Sequence, residues 1–253
     1  MRRTTGHGYP LNIVQDNGYT RSLRALGRDL PRPRAILVVS AHWLTRGTFV
    51  SCSSHPEQIY DFAGFPEELY AVRYPAPGAP DVAEHVVRRG AVFPVRCLDD
   101  WGLDHASWAV LLHLYPDADI PVLELSLDVS RSERDHYRLA RDLAPLRDAG
   151  VLVIGSGNIV HNLGRMAPDT NARPYPWAVR FDEAVRAALL GGDHDRLIAY
   201  DRSLPDAALA VPTNDHYLPM LYTVALQRPG ESVTFTNETI QHGSVSMRGF
   251  RIG

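Results

Sequence analysis

The sequence predicts a single α/β domain with a central, mostly parallel or mixed sheet flanked by helices. Two observations carry this. Short runs of aliphatic and β-branched residues, foremost Ala35-Ile36-Leu37-Val38-Val39 and Val151-Leu152-Val153-Ile154, read as strands buried on both faces. Between such runs lie segments with helical spacing, and strands alternating with helices indicate a layered fold. With 253 residues and 45% hydrophobic content, the chain is long enough for one large domain. No internal repeat, low-complexity tract or linker divides it, so residues 1–253 are expected to form one unit.

Taken in order, residues 19–30 read as a helix on Leu23, Leu26 and Leu30, stopped by Pro31 and Pro33. The strand from Ala35 follows. Small Ser40 and Ala41 are expected to let the chain leave the sheet there, which puts His42 at the strand's exit, where ligands bind in open α/β sheets. Residues 48–53 form a second strand. Residues 54–80 are rich in Pro, Gly and aromatics, and the five aromatics from Tyr60 to Tyr74 argue against disorder. This stretch is either the wall of an aromatic substrate pocket or a satellite cluster on the surface. Alternation then sets in: helix 82–89, strand 92–97, helix 105–115, strand 120–125, one long helix 131–149, strand 151–154 and helix 177–190. A further helix carries the stripe Tyr217, Met220, Leu221 and Val224, and the tail (233–236 and 244–252) supplies antiparallel edge strands.

Composition narrows the function. A net charge of −3, with no basic cluster beyond Arg2-Arg3 and Arg88-Arg89, argues against nucleic acid or an anionic membrane as partner. No apolar stretch approaches the roughly 20 residues that cross a bilayer, and MRRTTGHG lacks the apolar core of a signal peptide, so a cytoplasmic protein is expected. Cys52 and Cys97 are far apart and unaccompanied, which suggests neither a disulfide framework nor a thiolate zinc site. All 26 basic residues are arginine, and the absence of lysine removes Schiff-base and P-loop chemistry.

The informative residues are histidines at element junctions. His7 lies between Gly6 and Gly8, which allow close backbone approach. His42 ends a buried strand, His105 follows Asp104 at a helix start, His161 follows the turn Gly155-Ser156-Gly157-Asn158, and His216 sits in the cap-rich Thr213-Asn214-Asp215 turn. The glycine turn lacks the spacing of a dinucleotide site. Helix N-termini disfavour imidazolium, and neutral imidazole is the form that binds metal or accepts a proton. Any one of these histidines alone reads as structural; together, His7, His42, His105, His161 and His216 point to a site. Three or four imidazoles suit zinc or iron(II), with Asp61, Asp104 and Asp215 as candidate carboxylates. His55, His85, His113, His136, His194 and His242 read as surface or helix-face residues.

Several segments now fall into one pattern: Gly6-His7-Gly8, Leu11-Asn12 with Asp16-Asn17, Ser40-Ala41-His42-Trp43, Asp61-Phe62 with Gly64-Phe65-Pro66, Tyr74-Pro75-Ala76-Pro77-Gly78, Gly102-Leu103-Asp104-His105, Gly155-Ser156-Gly157-Asn158 through His161-Asn162-Leu163, and His216-Tyr217-Leu218-Pro219. In this order they closely resemble the DODA-type extradiol aromatic ring-opening dioxygenases, the 4,5-DOPA dioxygenase branch of the class III, LigB-like superfamily. The resemblance spans nearly the whole chain. It implies a LigB-like fold, a metal held by His7, His42 and His216, and His161 near enough to be a fourth ligand in a resting zinc form. It further implies His161 as acid/base, His105 as a pocket hydrogen-bond donor, iron(II) for activity, zinc in the purified protein, and a small aromatic diol and O2 as reactants. A homo-oligomer is compatible with it. Two departures stand out: relatives carry an apolar strand where this chain has Met1-Arg2-Arg3-Thr4-Thr5, and Tyr9 replaces their serine. Two other readings use the same residues, a zinc-dependent hydrolase and a non-enzymatic binding protein like the Memo proteins.

Overall fold

The computed structural model describes residues 2–90 and 93–253. Among the described residues ten strands form, in chain order: β1 (Arg2–Thr5), β2 (Ala35–Thr45), β3 (Thr48–Ser51), β4 (Val95–Leu98), β5 (Val122–Asp128), β6 (Val151–Ser156), β7 (Val233–Asn237), β8 (Ile240–Gln241), β9 (Val245–Ser246) and β10 (Gly249–Ile252). Eight of them make one sheet in the order β4-β3-β5-β2-β6-β1-β10-β7, while β8 and β9 pair separately. The centre, β5-β2-β6-β1, is parallel. β10 and β7 close one side antiparallel, and β3 runs antiparallel to β5 on the other. The sheet is therefore mixed around a parallel core, with helices on both faces.

Those helices are α1 (Gly18–Asp29), α2 (Glu67–Ala71), α3 (Pro80–Arg89), α4 (His105–Leu114), α5 (Glu133–Asp142), α6 (Pro176–Gly191), α7 (His194–Ile198), α8 (Tyr200–Ser203), α9 (Ala207–Ala210) and α10 (Leu218–Ala225). The period of two along β2 decides which layer each side chain joins. Ala35, Leu37 and Val39 pack into a core with α3, α5, α6 and α10; Ile36 and Val38 pack with Leu26 of α1 and Trp108, Leu111 and Leu114 of α4. Two helix starts are fixed by reciprocal caps, Asn17 with Thr20 on α1 and Ser132 with Asp135 on α5.

Several expectations are corrected. β2 does not leave the sheet at Ser40. Its pairing with β6 stops at Ser40, and its pairing with β5 skips from Val39 to Leu44, so His42 lies in an irregularity inside a continuing strand. The long helix at 131–149 ends at Asp142 and gives way to a 3-10 turn, Ala144–Arg147, because Pro145 has no N–H to continue the ladder. The strand at 92–97 begins at Val95; Val92 lies outside the described residues. Polar Arg2–Thr5 forms a buried strand, since β6 and β10 offer ladders on both sides. Cys52 and Cys97 are disulfide-bonded, with Cα atoms 5.8 Å apart. Parallel pairing of β3 with β4 (Val50 opposite Cys97) brings together two thiols that sequence distance keeps apart. Among the described residues, no helix is long and apolar enough to cross a membrane.

Candidate metal centre and active site

The loop after β1 delivers His7. A side chain on Gly6 would meet Ser246 O and Asn158 Nδ2 at 2.7 Å, and Gly8 has φ 66°, so glycine is required on both sides of the histidine. His7 Nδ1 lies 3.1 Å from Ser156 Oγ, whose own proton goes to Ala106 O at 2.6 Å. A hydroxyl has one proton, so Ser156 accepts from Nδ1–H, and Nε2 of His7 keeps its lone pair. His42 is set by the break in β2; its backbone N–H donates to Ser40 Oγ at 3.1 Å, and its Nδ1 faces Asp61 Oδ2. A carboxylate accepts, so Nε2 of His42 is likewise free, the arrangement found behind metal-binding histidines. His216 lies in the turn before α10, buried, with no hydrogen-bond partner for Nδ1. One nitrogen from each of His7, His42 and His216 falls within 4.8 Å of the other two. Three lone-pair donors, one buried and otherwise orphaned, fit a metal ion.

His105 and His161 border this cluster. The His42 and His105 rings are 4.3 Å apart, and Asp61 bridges them: its Oδ1 accepts the His105 backbone N–H at 2.9 Å and lies 2.9 Å from His105 Nδ1. His42, Asp61 and His105 form a second group whose donor atoms converge. His161 is outside both groups and stacks on His216, rings 3.4 Å apart and nearly parallel.

Protonation follows burial. Burial, reinforced by the neighbouring imidazoles, holds His7 and His216 well below the usual histidine range. Burial also lowers His161, to about 4. Burial works against a proton on His42 too, yet the hydrogen bond to Asp61 and the charges of Asp104, Asp61 and Asp215 outweigh it and raise this histidine. Asp61 resists burial in the same way: hydrogen bonds from His105 and His42 keep its carboxyl far below the usual range. The expected contribution of helix N-termini is corrected in part. Of His105, His161 and His216, only His105 begins a helix; His161 lies in a bridge to Val245 and His216 in a turn. Asp104 does not cap α4 through its side chain, which instead accepts from Ser40 Oγ at 2.5 Å.

All five histidines and Asp61 line a cavity of about 920 Å³ at the carboxyl edge of the parallel strands. Its apolar wall includes Tyr9, Phe62, Phe65, Leu163, Met166 and Val245. The long aromatic loop thus contributes only part of itself. Tyr60 packs 5.5 Å from Trp108, and Tyr74 is buried with its hydroxyl donating to Tyr115 O at 3.0 Å. Tyr9 stands at the wall, 5.1 Å from both Phe65 and His242. Of the six histidines read as surface or helix-face residues, three are buried: His113 on α4, His136 on α5, and His242, which lies on no helix. The linking role of Asp61 and the anchoring role of Ser156 have no local sequence signal, because their partners lie on other elements.

An α/β sheet with a histidine centre at its carboxyl edge defines a class of protein suited to metal-assisted chemistry on a small ligand. The family model for the catalytic LigB subunit of aromatic ring-opening dioxygenase matches residues 12–246, and the chain belongs to this family. It is 45% identical over 251 residues to the 4,5-DOPA dioxygenase extradiol of Escherichia coli K12, covering 98% of this chain and 93% of that protein. The 4,5-DOPA dioxygenase extradiol of Beta vulgaris is 37% identical, over 89% of this chain and 85% of its own length. A crystal structure of an uncharacterized protein from E. coli K12 superposes with a TM-score of 0.86 at 42% identity, covering 100% of this chain and 99% of the other. The protein is a DODA-type, LigB-like enzyme of the extradiol ring-cleaving dioxygenases, an oxidoreductase. His42, His105, His161 and His216 fall inside the matched family span; His7 precedes it.

Proposed function

We propose that the chain is a non-haem iron(II)-dependent dioxygenase that opens the ring of a catechol, a 4,5-DOPA-like small aromatic diol, with O2, residues 1–253 acting as one catalytic domain. The observation that carries this is the convergence of the His7, His42 and His216 nitrogens at the base of an aromatic-walled cavity. These three residues would hold the metal, with Ser156 and Asp61 fixing two of the rings. Bound iron(II) supplies a redox-active Lewis acid that acidifies the diol and couples it to O2, whereas zinc on the same donors supplies no redox chemistry. His161, neutral because it is buried, takes a proton from a substrate hydroxyl, and nearby Asp215 favours the charge that results. Its stacking on His216, outside the three-nitrogen group, supports acid/base work over ligation. His105 offers a hydrogen bond to the reacting oxygens, with Asp61 balancing charge that builds on the ring. Phe62 and Phe65 flank the substrate ring and keep water out.

The test is anaerobic reconstitution with iron(II), followed by addition of a catechol and oxygen. Oxygen uptake and a yellow ring-opened product are expected, and neither with zinc. Ester or amide cleavage by the zinc form, without uptake by the iron form, would replace this reading with a hydrolase. A folded protein inactive in both assays would leave a binding role.

A further inference from the structure

Two acids lie in the core behind the site. Asp104 and Glu124 are both buried, and neither lines the cavity that holds the histidines. They are neighbours, since the Asp104 backbone N–H donates to Glu124 Oε1 at 2.9 Å. Glu124 Oε2 accepts from Trp101 Nε1 at 2.9 Å, and Asp104 Oδ2 accepts from Ser40 Oγ at 2.5 Å, while Asp104 Oδ1 has no hydrogen-bond partner. Burial raises both carboxyls, Glu124 strongly, with the charge of Asp104 adding to the rise. Two buried acids whose partners here are uncharged groups weaken a core, and apolar residues of similar size would pack there at less cost.

What the pair holds is the break in β2. The ladder to β6 ends at Ser40 and the ladder to β5 resumes at Leu44, so Ala41, His42 and Trp43 fall outside both pairings. Ser40 Oγ gives its proton to Asp104 and accepts the His42 backbone N–H at 3.1 Å. On the other side of His42, Trp43 stacks on Trp101, the rings 5.0 Å apart and 3° from parallel, and Glu124 holds Trp101. Asp104 also immediately precedes α4, whose first residue is His105. The His42 and His105 rings, 4.3 Å apart, therefore hang on one buried pair of acids. Resting on the catechol reading above, we propose that Asp104 is a positioning residue for the reaction, presenting His42 to the metal through Ser40 and setting His105 beside it through the start of α4. Glu124 keeps Asp104 in place.

Zinc affinity, read by calorimetry, follows the His42 arm without turnover. Ser40→Ala and Asp104→Leu should each weaken zinc binding about tenfold. Because Asp104 acts through Ser40, the double variant should also lose about tenfold rather than about a hundredfold. Asp104→Asn keeps an oxygen for the Ser40 hydroxyl and should bring zinc affinity back to within about threefold of the unmodified protein. Additive losses, unchanged zinc affinity in either single variant, or no recovery with asparagine overturns the proposal. Should Asp104→Leu not fold, Ser40→Ala carries the test alone: binding about tenfold weaker supports the proposal, and unchanged binding overturns it. With iron(II) at saturation, Asp104→Leu should lower kcat for 3,4-dihydroxyphenylalanine about 10²-fold and change KM less than about threefold, because the cavity wall is intact. A raised KM with kcat kept also overturns it. No oxygen uptake by the unmodified protein, alongside the expected zinc pattern, sinks the ring-opening reading and leaves the positioning of His42 standing.

Discussion

At the level of single residues, the five junction histidines were visible in the sequence because each breaks a local pattern: a strand end, a glycine pair, a cap. Asp61 was visible only as one of three candidate carboxylates, since its partners lie on β2 and α4. His161→Ala should lower turnover by about 10²- to 10⁴-fold with metal content largely kept, measured by oxygen uptake and metal analysis on one preparation. Loss of metal in parallel would make His161 a ligand first. Arg3 is a different case. Its guanidinium is buried and reaches only Thr236 Oγ1 at 3.3 Å; Nε and Nη1 have no partner, and burial lowers its pKa to about 10. Buried charges without a counter-charge destabilise, so Arg3→Leu should raise unfolding free energy by about 1–3 kcal/mol in urea titration. A loss of similar size would show that the cation is needed.

At the level of elements, apolar periodicity exposed the strands and helices that contribute whole faces to the core, β2, β6, α1 and α6 among them. It missed β1, because Arg-Arg-Thr-Thr has no alternation to read and owes its strand to two neighbouring ladders. It also missed α2 and the short helices α7–α9, which are too brief to show a period. The break in β2 escaped because an irregularity in pairing is a property of two strands. The disulfide was hidden for the same reason. It closes a loop of sequence separation 45 and ties β4, at the sheet edge, to the segment leaving β3. On a chain-entropy account Cys52→Ser should cost about 2–4 kcal/mol relative to the oxidised protein. Unfolding with and without reductant checks this: reductant should lower the midpoint of the unmodified protein and leave that of the variant unchanged.

For the molecule as a whole, Glu231 is a clasp. It takes the guanidinium groups of Arg2 and Arg147 and accepts the Arg228 backbone N–H at 2.7 Å, joining β1, the 3-10 turn before β6 and the approach to β7. Burial would raise its carboxyl, but these bonds hold it at about 2 against a usual 4.5. A depressed carboxyl stabilises fully above its unfolded value, so this contribution is intact above pH 4.5 and is lost as pH falls through about 2. Glu231→Gln should cost about 1–2 kcal/mol at neutral pH and flatten stability against pH across that window, followed by circular dichroism. Metal at a hundredfold excess over its Kd adds about 2.7 kcal/mol, so chelation should lower Tm by roughly 5–10 °C in calorimetry. An unchanged Tm would argue against a metal held by His7, His42 and His216. The position of β1 carries a last consequence. The first strand of the chain lies between β6 and β10, the latter spelled by the final residues. The loop carrying His7 is therefore held by pairings of long sequence separation, a kind that forms slowly, so a partly folded chain lacks a finished centre in which to trap a metal.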